Sequence, residues 1–173
     1  MSAIHTASKR FLQELGFLPY KKWPQLRLEH ANARETKSER GKINRFVPQA
    51  HGIYIYTQNN EVLYVGKAVN LRARIHQHFK SSVFVERDGR KGSAGDQENG
   101  DWPAFFRDQC AGPVTVHWTE ISEHENARRI LELMLEWVIN PKFVHFREQR
   151  RKFRTSRKQQ EKAQAKLSTR TAS

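Results

Sequence analysis

Two short runs of β-branched and aromatic residues constrain the fold of this chain most strongly. They occupy residues 51–57 (HGIYIYT) and 61–66 (EVLYVG), and the polar segment 58–60 (QNN) separates them. Two strand-forming runs around a short polar segment indicate a β-hairpin. Any fold for this chain must therefore contain an antiparallel pair of strands near its centre.

The register of this hairpin can be predicted from the alternation of its side chains. A three-residue loop pairs Tyr54 with Tyr64, whereas a two-residue loop pairs Ile55 with Tyr64. We predict the three-residue loop because it separates aliphatic from aromatic side chains more cleanly, and a slip of one residue would move a strand's side chains to the other face. The predicted core face carries Ile53, Ile55, Leu63 and Val65, and the predicted non-core face carries Tyr54, Tyr56, Val62 and Tyr64.

A helix is predicted directly after the hairpin, with Asn70 as a suitable N-cap residue. Its buried stripe recurs every four residues and consists of Leu71, Ile75 and Phe79. Arg74 and His78 are also four residues apart, on the neighbouring stripe. A cation and an imidazole are therefore expected at the edge of the packed face, near the end of the second strand, although on an ordinary helix both would be solvated.

Further elements are predicted on either side of this unit. The glycine-rich composition of residues 87–101 indicates a loop, and a short helix over 102–109 follows it. A third strand is predicted over 114–121, and a final helix runs from Ser122 or Glu123 until Pro141 ends it. Glu132 lies off the centre of the apolar stripe of this last helix, where a surface ion pair with Arg128 is the simplest explanation for it.

The N-terminal part is predicted to contain two helices. Ser8 is a suitable N-cap for the first, and Gly16 would end it. The second is predicted around residues 24–39. The first helix has an apolar face, which consists of Phe11, Leu12 and Leu15.

Charge is divided unevenly along the chain. With 31 basic and 18 acidic side chains, the formal net charge is +13. Residues 1–50 carry +6, residues 51–146 carry −1 and residues 147–173 carry +8. We therefore predict a nearly neutral domain over 51–146, between a basic helical N-terminal extension and a basic C-terminal helix or tail. Such an excess makes nucleic acid the expected partner, although solvated surface charge is the simpler alternative.

Several classes of protein are excluded or disfavoured by composition. No apolar run approaches the roughly 18 residues of a membrane span, and the N-terminus lacks the apolar stretch of a signal peptide. The single cysteine, Cys110, excludes an intramolecular disulfide and a cysteine-based zinc cluster. We expect a cytoplasmic protein without a membrane partner, and the sequence leaves its oligomeric state open.

Three groups of residues together resemble the GIY-YIG nuclease superfamily. They are Gly52-Ile53-Tyr54, Tyr64-Val65-Gly66-Lys67-Ala68 and Asn70-Leu71-Arg72-Ala73-Arg74-Ile75. The segment 64–79 is especially similar to the N-terminal nuclease domain of the bacterial excision-repair incision subunit. The resemblance extends over residues 52–144.

The resemblance implies an α+β fold with a small three-stranded antiparallel sheet flanked by helices, which agrees with the predicted order of elements. It implies an endonuclease that hydrolyses phosphodiester bonds, with Mg²⁺ or Mn²⁺ as cofactor and double-stranded DNA as the expected substrate. Glu132 is preferred to Glu136 because the family's glutamate stands nine residues before a proline, here Pro141. Where the family often has an asparagine, this chain has Val144. The implied site residues are Tyr54, Tyr64, Lys67, Arg74, His78 and Glu132.

Each of these positions has a chemical role to fill in phosphodiester hydrolysis. Glu132 would be the metal ligand, since Mg²⁺ keeps most of its waters and needs few carboxylates. Tyr64 would orient or deprotonate the attacking water, with Tyr54 as its partner. Lys67 or a metal-bound hydroxide could lower the pKa of the tyrosine or remove its proton.

The remaining two positions would act on the phosphate. Arg74 would hold the scissile phosphate and neutralise its growing charge, and His78 would be a second phosphate contact or a proton shuttle. A competing metal site made of His76, His78 and His117 is disfavoured because His-x-His places the two rings on different faces of a helix.

Two other functions stay open at this point. The chain could be a catalytically inactive nucleic-acid-binding protein on the same fold, or a basic ribosome-associated protein. Within the nuclease interpretation, the sequence leaves open whether the role is in restriction, in repair or in a mobile element.

Overall fold

The structure is a computed structural model of the 173-residue chain. It describes residues 2–29, 33–83, 105, 112–149, 152 and 155. The predicted loop over 87–101 lies outside the described residues. So do all of the predicted helix 102–109 except Phe105, and most of the C-terminal extension.

Four antiparallel strands form one sheet in the order β1-β4-β2-β3. Three of them are the predicted strands, which are β2 (Gly52–Gln58), β3 (Glu61–Ala68) and β4 (Val114–Glu120). The additional strand β1 (Gln25–Leu28) pairs with β4. The α+β class and the antiparallel sheet flanked by helices are confirmed, with one strand more than predicted.

Strand β1 replaces the beginning of the helix that was predicted around residues 24–39. The helix α2 (Ala33–Phe46) starts only after this strand. Leu28 is fully buried opposite Val114 of β4. Leucine, glutamine and arginine all favour helices in isolation, so here the pairing with β4 overrides local propensity.

The first helix, α1 (Ala3–Glu14), begins earlier than predicted. Its N-cap is Ser2 and not Ser8, because the Ser2 side chain accepts a hydrogen bond from the backbone N–H of His5. Gly16, at φ 78°, follows the end of the helix as predicted.

The hairpin turn differs from the prediction. It contains two residues, Asn59 and Asn60, with φ of 50° and 66°. Asparagine tolerates this left-handed region, and two successive positive φ values characterise the tight turns that best suit antiparallel strands. The prediction of a three-residue loop is therefore wrong.

A β-bulge next to this turn also changes the pairing of the tyrosines. The register shifts between Tyr56 and Thr57, so that Tyr56 pairs with Tyr64 and Tyr54 pairs with Gly66. The predicted pairing of Tyr54 with Tyr64 is wrong, because alternation along a sequence cannot reveal the residue that a bulge inserts.

Both faces of the sheet are buried, which corrects the assignment of the tyrosines to a non-core face. On this tyrosine face, Tyr54 and Tyr56 pack in one cluster with α2 and with α3 (Leu71–Val83). The predicted stripe of α3 is confirmed, since its three residues belong to this cluster. The bulge also brings Leu63 into the cluster. The contributing residues are Ile43 of α2, Val47 just after it, and Leu71, Ile75 and Phe79 of α3.

The opposite, isoleucine face is covered by α1 and by the last long helix, α4 (Glu125–Ile139). Its cluster includes Ile53, Ile55 and Val65 together with Leu12 and Leu135. Helix α4 is capped by His124 at its start and by Asn140, in the left-handed conformation, at its end. It is followed by a helical stretch over 142–149. No helix in the described ranges is both long enough and apolar enough to span a bilayer.

Candidate active site

Four of the predicted site residues meet between the sheet and α3. The Tyr54 hydroxyl lies 3.4 Å from Nε2 of His78, and Arg74 donates a 3.4 Å hydrogen bond from Nε to the same oxygen. The rings of Tyr54 and Tyr64 are 5.8 Å apart. Arg74 also bonds to the Tyr64 hydroxyl. The α3 stripe predicted to carry a cation and an imidazole therefore faces the tyrosines of the hairpin.

His78 is buried among the rings of three tyrosines. Its ring centroid lies 5.5 Å from that of Tyr54 and 5.4 Å from that of Tyr64, and it stacks on Tyr56 at 5.9 Å. Burial, followed by the charge of Arg74, lowers the pKa of His78 to about 3. The imidazole is neutral at pH 7, so in this state it acts as a hydrogen-bond partner of Tyr54 and not as a cation.

Gly66 supplies the space in which the tyrosines meet. A Cβ atom at this position would lie 2.7 Å from the Tyr54 hydroxyl oxygen and 2.5 Å from Cε1 of Tyr64. Separations this short do not occur, so any larger residue would displace one or both rings. Sequence reasoning used Gly66 only as part of a motif, and its role required the observed register.

The acidic residue of the site lies beside the end of β3. Glu132, on α4, accepts a 2.9 Å hydrogen bond at Oε1 from the backbone N–H of Lys67. Because β3 is an edge strand, this N–H would otherwise point away from the sheet. Burial raises the pKa of Glu132, and the like charge of Glu136 adds to the effect. The backbone bond fixes one carboxylate oxygen and orients the other.

The simpler explanation for Glu132 does not hold. Arg128 is buried and its guanidinium donates to the backbone carbonyl of Glu123. Across the described residues, no ion pair joins Arg128 to Glu132. Glu132 is therefore not a surface partner of Arg128.

Two partners of the site were missed by sequence reasoning. The Lys67 ammonium pairs with Glu125 at 2.8 Å, and Nη1 of Arg74 donates to Oε1 of Gln77 at 2.9 Å. The second pair is three residues apart on one helix, a spacing that could have indicated it. The pair of Lys67 with Glu125 joins β3 to α4, so no short spacing in the sequence could have indicated it.

An open cleft of about 450 Å³ connects these groups. Tyr64, Lys67, Arg74 and Glu132 all line it. Tyr54 and His78 are outside its lining and pack behind Tyr64. The structure thus brings the six predicted residues to one place, four at the cleft wall and two behind it.

Neither tyrosine of this site is ionised at neutral pH. Burial raises the pKa of Tyr54 well above its usual value, and burial also raises the pKa of Tyr64. The hydrogen bond from Tyr54 and the charge of Arg74 oppose the shift in the pKa of Tyr64 without reversing it. Lys67, which we expected to lower this pKa, is directed to Glu125 instead.

The residues of the cleft fit a hard divalent cation. Glu132 offers a carboxylate oxygen oriented by a backbone bond, and Mg²⁺ commonly takes one carboxylate together with water and phosphate oxygens. Within the described part of the chain, no group of three His, Cys, Asp or Glu residues could hold a metal. The alternative site made of His76, His78 and His117 is therefore wrong.

Comparison with known proteins finds a family match over part of the chain. Residues 50–90 match the family model described as a UvrC-like GIY-YIG domain. This range contains five of the six site residues, and the match confirms the resemblance that the motifs indicated. Glu132 lies beyond it.

Curated relatives match over short stretches. UvrABC system protein C of Aquifex aeolicus is 29% identical over 65 residues, which are 36% of this chain and 11% of that protein. The protein of the same name from Finegoldia magna is 51% identical over 37 residues, which are 21% of this chain and 6% of the relative. The chain therefore spans only a small part of these relatives.

Solved structures of one domain also match. The magnesium-bound GIY-YIG N-terminal endonuclease domain of UvrC from Thermotoga maritima is 18% identical, with a TM-score of 0.37. The match covers 59% of this chain and 94% of that domain. A tyrosine-to-phenylalanine point mutant of the same domain, bound to the catalytic divalent cation, matches at 17% identity with a TM-score of 0.38, over 59% of this chain and 93% of the other.

Proposed function

We propose that this chain, which carries a UvrC-like GIY-YIG segment at residues 50–90, is a metal-dependent endonuclease that hydrolyses phosphodiester bonds in DNA. The observation that carries the proposal is the cleft itself. It joins a half-buried carboxylate, a guanidinium and a tyrosine hydroxyl, contributed by Glu132, Arg74 and Tyr64. These three groups supply a cation ligand, a phosphate ligand and a contact for the attacking water.

Arg74 holds the scissile phosphate in this proposal. Two of its nitrogens are fixed by Tyr54 and Gln77, so the guanidinium plane is oriented before substrate arrives. A planar fork of donors matches the oxygens of a phosphate, and a pre-oriented fork loses little entropy on binding. The same charge offsets the negative charge that develops on the phosphate during attack.

Tyr64 orients the attacking water from the cleft wall. Its hydroxyl is bonded to that of Tyr54, which in turn contacts Arg74 and His78. Tyr54 and His78 are therefore positioning residues in this proposal. The neutral imidazole of His78 holds the Tyr54 hydroxyl in place, and with a pKa of about 3 it is too weak a base to take a proton from it.

Glu132 would hold Mg²⁺, or Mn²⁺, together with water and an oxygen of the substrate phosphate. When bound, such an ion lowers the pKa of coordinated water and neutralises charge on the phosphate. Lys67 contributes its backbone N–H, which orients the Glu132 carboxylate. Its ammonium group stays near the cleft through the ion pair with Glu125.

The basic flanks would supply most of the affinity for double-stranded DNA. Residues 1–50 and 147–173 carry net charges of +6 and +8, while residues 51–146 carry −1. In this proposal, the central range holds the site and the two flanks bind phosphate. The N-terminal flank also supplies β1 and the helices α1 and α2.

Incubation of supercoiled plasmid with the full chain and Mg²⁺ tests the proposal. We expect nicked and then linear DNA, cleavage that EDTA stops, and recovery when Mg²⁺ is added in excess. Binding without nicking over a range of Mg²⁺ and Mn²⁺ concentrations would instead identify an inactive nucleic-acid-binding protein. Sequencing the product ends then separates cleavage at fixed sites from cleavage at distorted structures.

A further inference from the structure

A second concave surface lies on the isoleucine face of the sheet, away from the cleft. Helices α1 and α4 cover this face where β2 and β3 carry Ile53, Ile55 and Val65. Beyond them, the register aligns polar side chains across β1, β4 and β2. Arg27 pairs with Thr115 and Thr115 pairs with Thr57, so these three side chains form one row.

A neighbouring row completes the floor of this surface. Gln25 pairs with His117, and the ring of Tyr20 packs edge-on against that histidine at 5.3 Å. The result is a pocket of about 430 Å³, which we call the far-side pocket. Its volume lies within the range of roughly 300–1,000 Å³ typical of pockets for small ligands. Its wall includes Tyr20, Lys21, Gln25, Arg27, Asn60 and His117.

The charge in this pocket is positive. Among the described residues, its lining contains two cationic side chains, Lys21 and Arg27, and no carboxylate. Glu29 pairs with Nε of Arg27 at 3.1 Å, which leaves the terminal nitrogens of the guanidinium to other ligands. The ammonium of Lys21 donates to the amide oxygen of Asn60 at 3.5 Å, which is a neutral partner.

The rest of the lining is suited to a polar ring system. Side-chain amides from Gln25, Asn59 and Asn60 offer both donors and acceptors, and Tyr20 offers an aromatic surface. His117 is buried and held by Thr57 at 3.1 Å. Burial, followed by the charge of Lys21, lowers the pKa of His117, so it adds no third positive charge at neutral pH.

We propose that the far-side pocket binds a nucleoside monophosphate, with the phosphate at Lys21 and Arg27 and the base against Tyr20 and the amides. Two cations select the phosphate, and the amide-rich wall selects a hydrogen-bonding base. The nucleotide can be a free molecule or one residue of a single strand. The inference is independent of catalysis, because none of the cleft residues lines this pocket.

Titration calorimetry on the full chain tests the proposal with three probes: deoxyadenosine monophosphate, deoxyadenosine and a short oligodeoxythymidylate. We expect the monophosphate to bind at least about tenfold more tightly than the nucleoside, the scale of one charge-assisted hydrogen bond. Lys21→Ala and Arg27→Ala should each raise its Kd by at least about tenfold. Lys22→Ala, an exposed neighbour outside the lining, is the matched control and should leave Kd unchanged.

Further variants and probes separate the possible outcomes. If Arg74→Ala abolishes binding while Lys21→Ala does not, the nucleotide occupies the cleft and the proposal fails. It also fails if nucleoside and monophosphate bind equally, or if neither the monophosphate nor the oligonucleotide binds. Lys21-dependent binding of the oligonucleotide alone identifies a strand as the source, and Lys21-dependent binding of the monophosphate identifies a free nucleotide. Glu132→Gln, which lacks the proposed metal ligand, should still bind the nucleotide. Failure of the nuclease proposal would therefore leave this result unchanged.

Discussion

Tyr54 lies directly opposite Gly66 in the hairpin, and its hydroxyl occupies the space where a side chain at position 66 would be. A Cβ atom there would stand 2.7 Å from that oxygen. The same space admits the ring of Tyr64, so one missing side chain allows two tyrosines to meet. Gly66 thus has a steric role in the site.

We predict that Gly66→Ala reduces the cleavage rate by at least about 100-fold, because it displaces the tyrosines from Arg74 and His78. The added methyl group would also overpack this region, which should lower the free energy of unfolding by about 1–3 kcal/mol. Plasmid nicking and urea unfolding measure the two effects. Gly41→Ala is the control, because a Cβ there meets nothing within 4 Å and the position is helical. Similar nicking rates for both variants would contradict the steric role.

Local patterns predicted the strands β2, β3 and β4 and the stripe of α3, because each is set by side chains close together in sequence. The pairing of Tyr54 depends on a bulge, which adds a residue without changing the alternation on either side of it. Strand β1 depends on a partner far along the chain, since Leu28 pairs with Val114. Long-range pairing of this kind leaves no periodic trace in the sequence.

We predict that Glu132→Gln abolishes cleavage while DNA binding persists. Glutamine keeps an oxygen for the Lys67 backbone N–H, so the local geometry is retained and only the charge needed for a divalent cation is removed. Nicking assays and gel-shift titrations measure the two properties. Glu136→Gln, one helical turn further on, is the matched control and should retain activity. Loss of activity in Glu136→Gln alone would move the metal ligand to that position.

Removing the hydroxyl of Tyr64 or the guanidinium of Arg74 should each slow cleavage by at least about 100-fold, the usual scale for groups that act on the transition state. The variants are Tyr64→Phe and Arg74→Ala, and single-turnover cleavage of a labelled duplex measures them. Tyr56→Phe provides the control, because Tyr56 is also buried in the sheet but outside the cleft lining. Wild-type rates in both test variants would place the site elsewhere.

All six candidate site residues could be named from the sequence, but the contacts of Lys67 and Glu132 needed the fold. The motif spacing put Tyr54, Tyr64, Arg74 and His78 on the hairpin and on α3, where the structure has them. Whether Lys67 acts through its ammonium or its backbone N–H could not be read from sequence, since Glu125 and Glu132 approach it from a distant helix.

The buried imidazole of His78 predicts a specific loss of stability in acid. Its pKa of about 3 in the folded chain lies below the value of about 6.5 in an unfolded chain, so the unfolded state binds the proton first as pH falls. The resulting loss in the free energy of unfolding is negligible above pH 7, grows below about pH 6.5 and is complete near pH 3. Between pH 7 and pH 5 it amounts to about 2 kcal/mol.

Urea unfolding at pH 7 and pH 5 measures this effect in the wild type and in His78→Phe. The wild type should lose about 2 kcal/mol more than the variant over this interval. The depressed pKa of His117 acts in the same direction in both proteins and cancels from the comparison. Parallel losses in the two proteins would mean that His78 is not buried as a neutral group.

Deletion of residues 147–173 should weaken DNA binding without removing the metal site. This range holds ten basic and two acidic side chains, whereas the range that contains the site is nearly neutral. For every phosphate that the segment neutralises in the full chain, its deletion should reduce the slope of log affinity against log salt by about 0.9 on duplex DNA. Binding titrations at several salt concentrations measure the slope, and nicking at saturating protein checks that cleavage persists. An unchanged slope would assign phosphate binding to the N-terminal flank instead.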